Sequence, residues 1–493
     1  MGKPIDVQLA SHPARSTEAF AAYRGLAERF AAENVYLLES IDGPAVDVQR
    51  SVIGVGPLIA LTISQQQVTL DGLPSLCSQV RERALALDCV EVSGSGLALR
   101  GPDALWRFLR AVQSCFVVHG NGIPRGFQFG FFGYFGYDAA WFVETLPQLI
   151  GRPLGDAPDI ALSIYRTTIH FDLEDGTVCI VDSRSREWDS QYTTVAKALD
   201  GCECPSVPRP VPEAPEPIGM SDTCSPEAYR AGVQRALAHI QAGDVYQIQL
   251  GHSIHVETEV LPLTVYERMR WRNPAPYMYL ANIGGSTLIG ASPELFIRVE
   301  DNRLTMRPIA GTAQPGETPE QDKIYAEQLG QDPKEQAEHV MLVDLCRNDM
   351  GRVCHPDTLE VTELMQCERF ARLTHLVSTV TAEIDSADTW DILASAFPAG
   401  TMTGAPKIRA MELIESIETT PRGIYAGCIG LFGFSGHVNS ALCIRSVVHR
   451  SGTYRVRASA GVVVDSTPER EWRETLAKLS APVWAVSGKE VRP

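Results

Sequence analysis

Four glutamates fall into two pairs whose spacing suits a hard divalent cation. In DPKEQAEHVMLVDLCRND, Glu335 and Glu338 are three residues apart, and in TPEREWRETLAKLSA so are Glu471 and Glu474. Residues at that spacing share one face of a helix. Lys478 continues the second face one turn on. Like charges placed this way are mildly destabilising unless solvated or neutralised, and on spacing alone two solvated helix faces remain open as the plainer outcome. The chemical alternative is a magnesium site. Mg2+ takes one or two protein carboxylates, keeps several waters and completes its shell from an anionic substrate.

Two glycine-containing segments could meet that anion. In FPAGTMTGAPKIRAMELIESIE, Gly400, Thr401, Thr403, Gly404 and Ala405 form a small-residue loop, and Pro406 suits the first turn of a helix. Free backbone donors at such a helix start attract anions, although an ordinary capped helix reads the same way. In ASAGVVVDS, Gly461 and its small neighbours at 458–460 would let a ligand approach the backbone closely. Other chemistries lack their signatures. There is no GxGxxG between a strand and a helix, no P-loop and no GxSxG elbow. No cysteine stands in a nucleophile context, so the chain is not expected to hydrolyse glutamine by itself. The 12 cysteines lack regular spacing. Cys202 and Cys204, the only close pair, have no second pair to complete a zinc site, and free thiols are expected.

The elements that must carry these groups can be outlined. An amphipathic helix is predicted at 18–33 and another in DALWRFLRAVQSCF. Strand-like runs are NVYLLES, PLIALTIS, DIALSIYRTTIHFDL and GTVCIVDS. Six prolines in PSVPRPVPEAPEP, at 205–217, exclude helix and inner strand and mark a linker. Beyond it Ser225-Pro226-Glu227 starts a helix, followed by the strand VYQIQLGHSIHV. STLIGA, ELFIRVE, CIGLFGF, SALCIRSVVH and YRVRASAGVVV are further strands among helices. Without regular βαβ alternation, the fold class is α+β. The organisation is an N-terminal region at 1–204, a linker at 205–221 and a C-terminal region at 222–489.

Of the 493 residues, 60 are acidic and 43 basic, for a net charge of −17. That excludes a nucleic-acid partner and disfavours an anionic membrane. An anionic substrate must then meet a local cluster of cations. No apolar run approaches the ~18 residues of a membrane span, and the N-terminus lacks a signal-peptide core. A cytoplasmic location is expected.

Read together, the motifs become specific. GDVYQIQL, RPIAGT, DPKEQAEHVMLVDLCRNDMGRV, THLVSTV, FPAGTMTGAPKIRAMELIE, GIYAGCIGLFG, ASAGVVVDSTP and EREWRETLAKLSA stand in this order. Over 225–481 the chain resembles the chorismate-utilising enzymes, the group of anthranilate, aminodeoxychorismate, isochorismate and salicylate synthases. LLES and GFFGYFGYD further resemble the regulatory domain of anthranilate synthase large subunits.

The resemblance implies a large mixed or antiparallel β-sandwich core with surrounding helices and two intertwined regions. It implies Mg2+ on Glu338 and Glu474, with Glu335 and Glu471 near the metal's waters, holding the ring carboxylate of chorismate. Tyr425, Arg445, Lys478 and the backbone of Ala460 and Gly461 would grip the pyruvyl-ether carboxylate. Glu294 would protonate the departing C4 hydroxyl, His375 would serve a final elimination of pyruvate, and Thr312 would flank the attack. Relatives that add water carry a lysine base where this chain has Gln247, and those that aminate C4 commonly carry a lysine where it has Ala310. An amide cannot usefully take a proton, so both positions point to ammonia attacking C2.

The implied protein is an anthranilate-synthase-type large subunit in a hetero-oligomer, with ammonia delivered by a separate glutamine amidotransferase subunit. The alternatives are an enzyme stopping at 2-amino-2-deoxyisochorismate, an aminodeoxychorismate synthase, and an inactive tryptophan sensor. For L-tryptophan the resemblance implies a pocket of Leu38, Glu39, Ser40 and Arg50 facing Pro276, Tyr277 and Met278. Glu39 would meet its ammonium and Arg50 its carboxylate. Asn439-Ser440 and CERFARLT depart from the usual pattern, and both the tryptophan pathway and a relative in secondary metabolism stay open.

Overall fold

The computed structural model describes residues 3–15, 17–94, 96–120, 126–152, 156–202, 210–371, 373–384 and 388–491. Its helices start where the sequence supplies caps. Ser225, Asp332 and Thr467 each accept a hydrogen bond from a first-turn amide, and each is followed by proline, whose missing donor costs nothing there. The helices Pro226–Gln241, Pro333–Gly351 and Pro468–Ser487 result. The last runs beyond the predicted motif, through Pro482. Burial of Leu479, Pro482, Val483 and Val486 on one face offsets the hydrogen bond that the proline removes.

The described strands join one network of 24. All pairings are antiparallel except that of Ile5–Ala14 with Phe116–His119, in agreement with α+β. The two regions interlock through the network. Val35–Glu39 lies between Arg50–Ser64 and Tyr277–Ile283. Gly130–Phe135 lies between Ile160–Asp172 and Cys428–Gly433. An aromatic core lies along this seam: Tyr36 stacks on Phe132 at 3.7 Å, and Tyr165 meets Tyr36 edge-on. Gly54, opposite Tyr36, and Gly290, opposite Tyr279, leave room for the rings, which a Cβ would penetrate. Each fully buried ring contributes about 3 kcal/mol.

One predicted strand is corrected. SALCIRSVVH is two strands, Val438–Leu442 and Ser446–Arg450, broken at Arg445, which takes a left-handed backbone with φ 51°. The proline segment is described from residue 210. Its Pro212 carbonyl accepts from Arg268 at 2.6 Å, and Gly219–Asp222 then adds a strand to Gln247–Glu257. Cys204 and residues 203–209 lie outside the described residues. Among those described, no helix is long and apolar enough to cross a membrane.

Candidate functional site

The strand Gln247–Glu257 pairs with Thr453–Val462, so that Gln249 lies opposite Gly461 and Gly251 opposite Ser459. Alternation turns Gln247 and Gln249 to one face. Both amide nitrogens crowd Gly461, where a Cβ would stand 2.8 and 3.0 Å from them. A side chain at 461 would therefore push both glutamine amides out of place. The same alternation turns the Ala460 side chain away from the cleft, so only its backbone could serve a ligand there.

The helix Pro333–Gly351 brings Glu338 to this face, where Gln247 Nε2 donates to it at 3.0 Å. The oxygen of the same amide, Gln247 Oε1, is buried without a partner. Glu335 reaches the turn at Gly311. From the helix Pro468–Ser487, Glu474 pairs with Lys478 at 2.8 Å, and Lys478 donates to the Ser459 carbonyl at 2.9 Å. Glu471 is buried, and its Oε2 has no partner.

Burial first, then Glu335 and Glu474, push Glu338 up to about 7. Burial also acts to raise Glu474, but Lys478, Arg470 and Arg445 outweigh it and hold the carboxyl low. No three His, Cys, Asp or Glu side chains converge on one point among the described residues. A magnesium ion does not require three. An orphaned carboxylate oxygen and a glutamate whose charge is opposed by two others fit a dication.

On the far wall, Arg445 donates to the Lys478 carbonyl at 3.0 Å and has no carboxylate within ion-pair distance among the described residues. Burial lowers its pKa. Tyr425 OH lies 2.7 Å from Ser459 Oγ, which donates to Gln249 Oε1 at 3.1 Å. Glu294, between Ser286–Ser292 and Leu295–Glu300, is raised to about 8 by burial, an effect that Thr401, Lys478 and the Ile309 amide hold back. It therefore keeps its proton at neutral pH. His375 lies across the ladder from Thr312, with Nδ1 3.0 Å from the Gly311 carbonyl and 3.1 Å from Thr312 Oγ1. Burial lowers it to about 4. It is neutral, and the Gly311 contact assigns the hydrogen to Nδ1, leaving a lone pair on Nε2.

Hydrogen bonds and electrostatic contacts link these catalytic, substrate and metal candidates to one another. Gln249 and Ser459 were missed. The period-two spacing of Gln249 from Gln247 was a usable signal, whereas the link from Ser459 to Tyr425 spans distant sequence. Pro406 caps the helix Lys407–Ile417 rather than lying within it.

The seven residues expected to hold tryptophan also gather, but around a cavity of only about 60 Å³. Two of them are already engaged within the protein. Glu39 is buried and turned to Tyr266 (2.6 Å) and Arg270 (3.0 Å). Arg50 faces Asp172 (3.4 Å) and Glu300 (3.7 Å). Each already has a protein counter-ion. Ser40 donates to the Pro276 carbonyl at 2.6 Å. Tyr277 donates to Asp47 at 2.9 Å, and Asp47 also faces Arg298 and Arg307.

Comparison with known proteins bears on this cleft. A family model described as chorismate binding enzyme matches residues 99–483, so the match crosses the proline segment. The 2-amino-4-deoxychorismate synthase of Streptomyces globisporus is 45% identical over 99% of this chain and 98% of its own. Anthranilate synthase component 1 of Pseudomonas putida is 38% identical, covering 92% of this chain and 90% of its own. Among solved structures, anthranilate synthase component I from Streptococcus pneumoniae TIGR4 superposes with a TM-score of 0.70 at 28% identity, covering 90% of this chain and 93% of that one. The menaquinone-specific isochorismate synthase MenF of Escherichia coli shares the fold, with a TM-score of 0.67 at 17% identity over 98% of this chain and 95% of its own.

Proposed function

We propose that this chain, which belongs to the chorismate-binding enzyme family, aminates chorismate at C2 and releases the amine with its pyruvyl ether intact. The product is 2-amino-4-deoxychorismate, the same C2 amine as 2-amino-2-deoxyisochorismate. The full-length 45% identity to a synthase of that name supports this over the anthranilate reading of the sequence, whose relatives stand at 35–38%.

The observation that carries the amination is Gln247. Its buried, unpartnered Oε1 can accept a hydrogen bond from ammonia but cannot deprotonate water. Ammonia needs no base, because its free form is already nucleophilic. Ala310 offers no amine for covalent attack at C4.

The residues divide the remaining work. Arg445 and Lys478, on one wall, suit the pyruvyl carboxylate. Tyr425 stands beside them. As nitrogen bonds to C2, the ring double bonds shift and the C4–O bond breaks. Glu294 gives its proton to that oxygen, which leaves as water, and the new ammonium loses a proton in turn. Glu338 and Glu474, with Glu335 and Glu471 behind them, would hold Mg2+, which when bound supplies positive charge to the ring carboxylate.

Ammonia would come from a separate glutamine amidotransferase subunit. Burial raises the thiol pKa at every described cysteine with a resolved shift, to about 12 at Cys443, so none of these is an activated thiolate. A second reading, anthranilate synthase, is favoured by His375, whose free Nε2 could take the C2 proton that pyruvate loss requires. Tryptophan feedback is not part of the leading reading, because small-molecule sites typically offer ~300–1,000 Å³.

The test is to supply chorismate, Mg2+ and ammonium and to analyse products by mass spectrometry with a coupled pyruvate assay. The expected product is a non-aromatic amine that retains its three-carbon ether. Stoichiometric pyruvate and fluorescent anthranilate would establish the second reading, and a C2 hydroxyl or C4 amine would overturn both.

A further inference from the structure

The strand Thr453–Val462 serves more than the cleft. Gly461 and Ser459 face the cleft, and by alternation Arg457 and Arg455 continue that side of the sheet. Tyr454, Val456 and Ala458 between them are buried in the opposite core. The two arginines line a separate cavity of about 670 Å³. Its floor is the sheet, and its roof comes from N-terminal loops bearing Asp138, Arg152 and Asp159 together with the loop at 420–425.

Not all the arginines around this cavity are ion-paired. One carboxylate, Glu418, faces both Arg422 (3.0 Å) and Arg457 (2.6 Å). Arg152 has Asp138 at 3.6 Å. Arg450 donates only to the Gly284 carbonyl (2.9 Å) and Ser286 Oγ (3.1 Å), and Arg455 to the Pro421 carbonyl. Neither has a carboxylate within ion-pair distance among the described residues. Asp156 and Asp159 stand on the rim, and Asp222 acts on His255 from the neighbouring strand, so the donors left without an ion pair are those of Arg450 and Arg455.

Two observations single out Arg455. Burial, then Arg457, lowers its pKa to about 10 against the opposing pull of Asp156, Asp138 and Glu418. His255 lies directly across the ladder from Arg455, and its Nε2 is buried without a partner. The remaining wall is apolar, with Ile424, Cys443, Val448 and the Tyr425 ring. A half-buried guanidinium without an ion-pair partner, beside a ring nitrogen that has none, leaves unspent hydrogen-bonding capacity facing the cavity.

We infer that this cavity binds a small aromatic monocarboxylate, with its carboxylate on Arg455 and His255 and its ring against Val448 and Ile424. One carboxylate gives Arg455 an ion-pair partner, a flat body suits the apolar wall, and the volume is that of a small-molecule site. The site shares only the Tyr425 ring with the amination cleft and does not depend on which product that cleft releases.

The probe is 2-aminobenzoate, measured by equilibrium dialysis on the full chain with and without saturating chorismate. Binding is expected to persist under chorismate. It should weaken at least tenfold in Arg455→Met and in Val448→Trp, which fills the cavity, and survive in Arg445→Met. Melting curves verify that each variant folds. Three results would overturn the inference: binding unchanged in both cavity variants, binding displaced by chorismate and lost in Arg445→Met, or no binding to folded wild type at ~10 mM. Should both cavity variants fail to fold, persistence of wild-type binding under chorismate still supports the second site, and complete displacement refutes it.

Discussion

The amination cleft and the small cavity behind LLES are both lined by charged residues, yet they treat charge in opposite ways. In the cleft, polar groups are left wanting: Gln247 Oε1 and Glu471 Oε2 have no partner, and Arg445 has no counter-ion among the described residues. Behind LLES the carboxylates close on cations, although Arg298 Nε and Asn439 Oδ1 there also lack a hydrogen-bond partner. Glu39 is held by Arg270 and Tyr266, and Arg50 by Asp172 and Glu300. Asp47 is held by Arg298, Arg307 and Tyr277. A surface prepared for a ligand keeps unspent hydrogen-bonding capacity, whereas one that has spent it internally is a brace.

The largest effect should come from Glu294→Gln. Losing a general acid lowers kcat by ~10²–10⁴-fold, measured with saturating ammonium. In wild type, kcat should fall as pH rises through about 8, where Glu294 ionises. Stability moves with it. Between the usual glutamate pKa and about 8 the folded chain keeps a proton that the unfolded chain has lost, so stability falls with rising pH across that window. Glu294→Gln removes this loss, and at pH 8–9 the variant should melt above wild type. A variant that is active, or less stable there, would break the assignment.

Next are Glu474→Gln and Glu338→Gln, each expected to cost about 100-fold in turnover at limiting Mg2+, with part of the loss recovered at high Mg2+. Near-wild-type turnover in limiting Mg2+ would remove these residues from the metal site. Arg445→Met should lower kcat/KM by roughly 10–100-fold, mainly through KM. An unchanged KM would show that its free donors do not meet substrate.

The brace should respond differently. Arg307→Met leaves Asp47 and Glu368 with one partner fewer and should cost about 3–5 kcal/mol of stability, read from denaturant curves, with kcat altered less than about threefold. L-Tryptophan at millimolar concentration should change the rate by less than about twofold, an effect too small to imply a preformed site. Strong inhibition would show that the cavity opens, and the contrast between the two surfaces would then be one of state rather than construction.

How far the sequence revealed this contrast depends on distance along the chain. The glutamate pairs and the capped helices were legible because their signals are local, i, i+3 spacing and Ser, Thr or Asp before Pro, whereas Gln247 was singled out by the family resemblance. The gathering of Leu38, Ser40 and Pro276 was also legible. What was not legible was that Glu39 and Arg50 are already paired, because Arg270, Asp172 and Glu300 come from far away in the chain. Arg445 was read inside a continuous strand, since nothing in SALCIRSVVH announces a left-handed residue. YRVRASAGVVV was read as a strand, and nothing in it marks Arg455 and Arg457 as lining a cavity. Only the sheet's neighbours show that they are covered.

The interlocked strands bear on how the molecule comes apart. Val35–Glu39 and Gly130–Phe135 each supply a hydrogen-bonded edge to strands from beyond the proline segment. A chain cut at that segment would leave Tyr277–Ile283 and Cys428–Gly433 with open edges, which are templates for aggregation. The proline segment is therefore a covalent tether without being a seam of independent folding. The two halves should melt in a single cooperative transition, and separately expressed halves should be soluble only when made together.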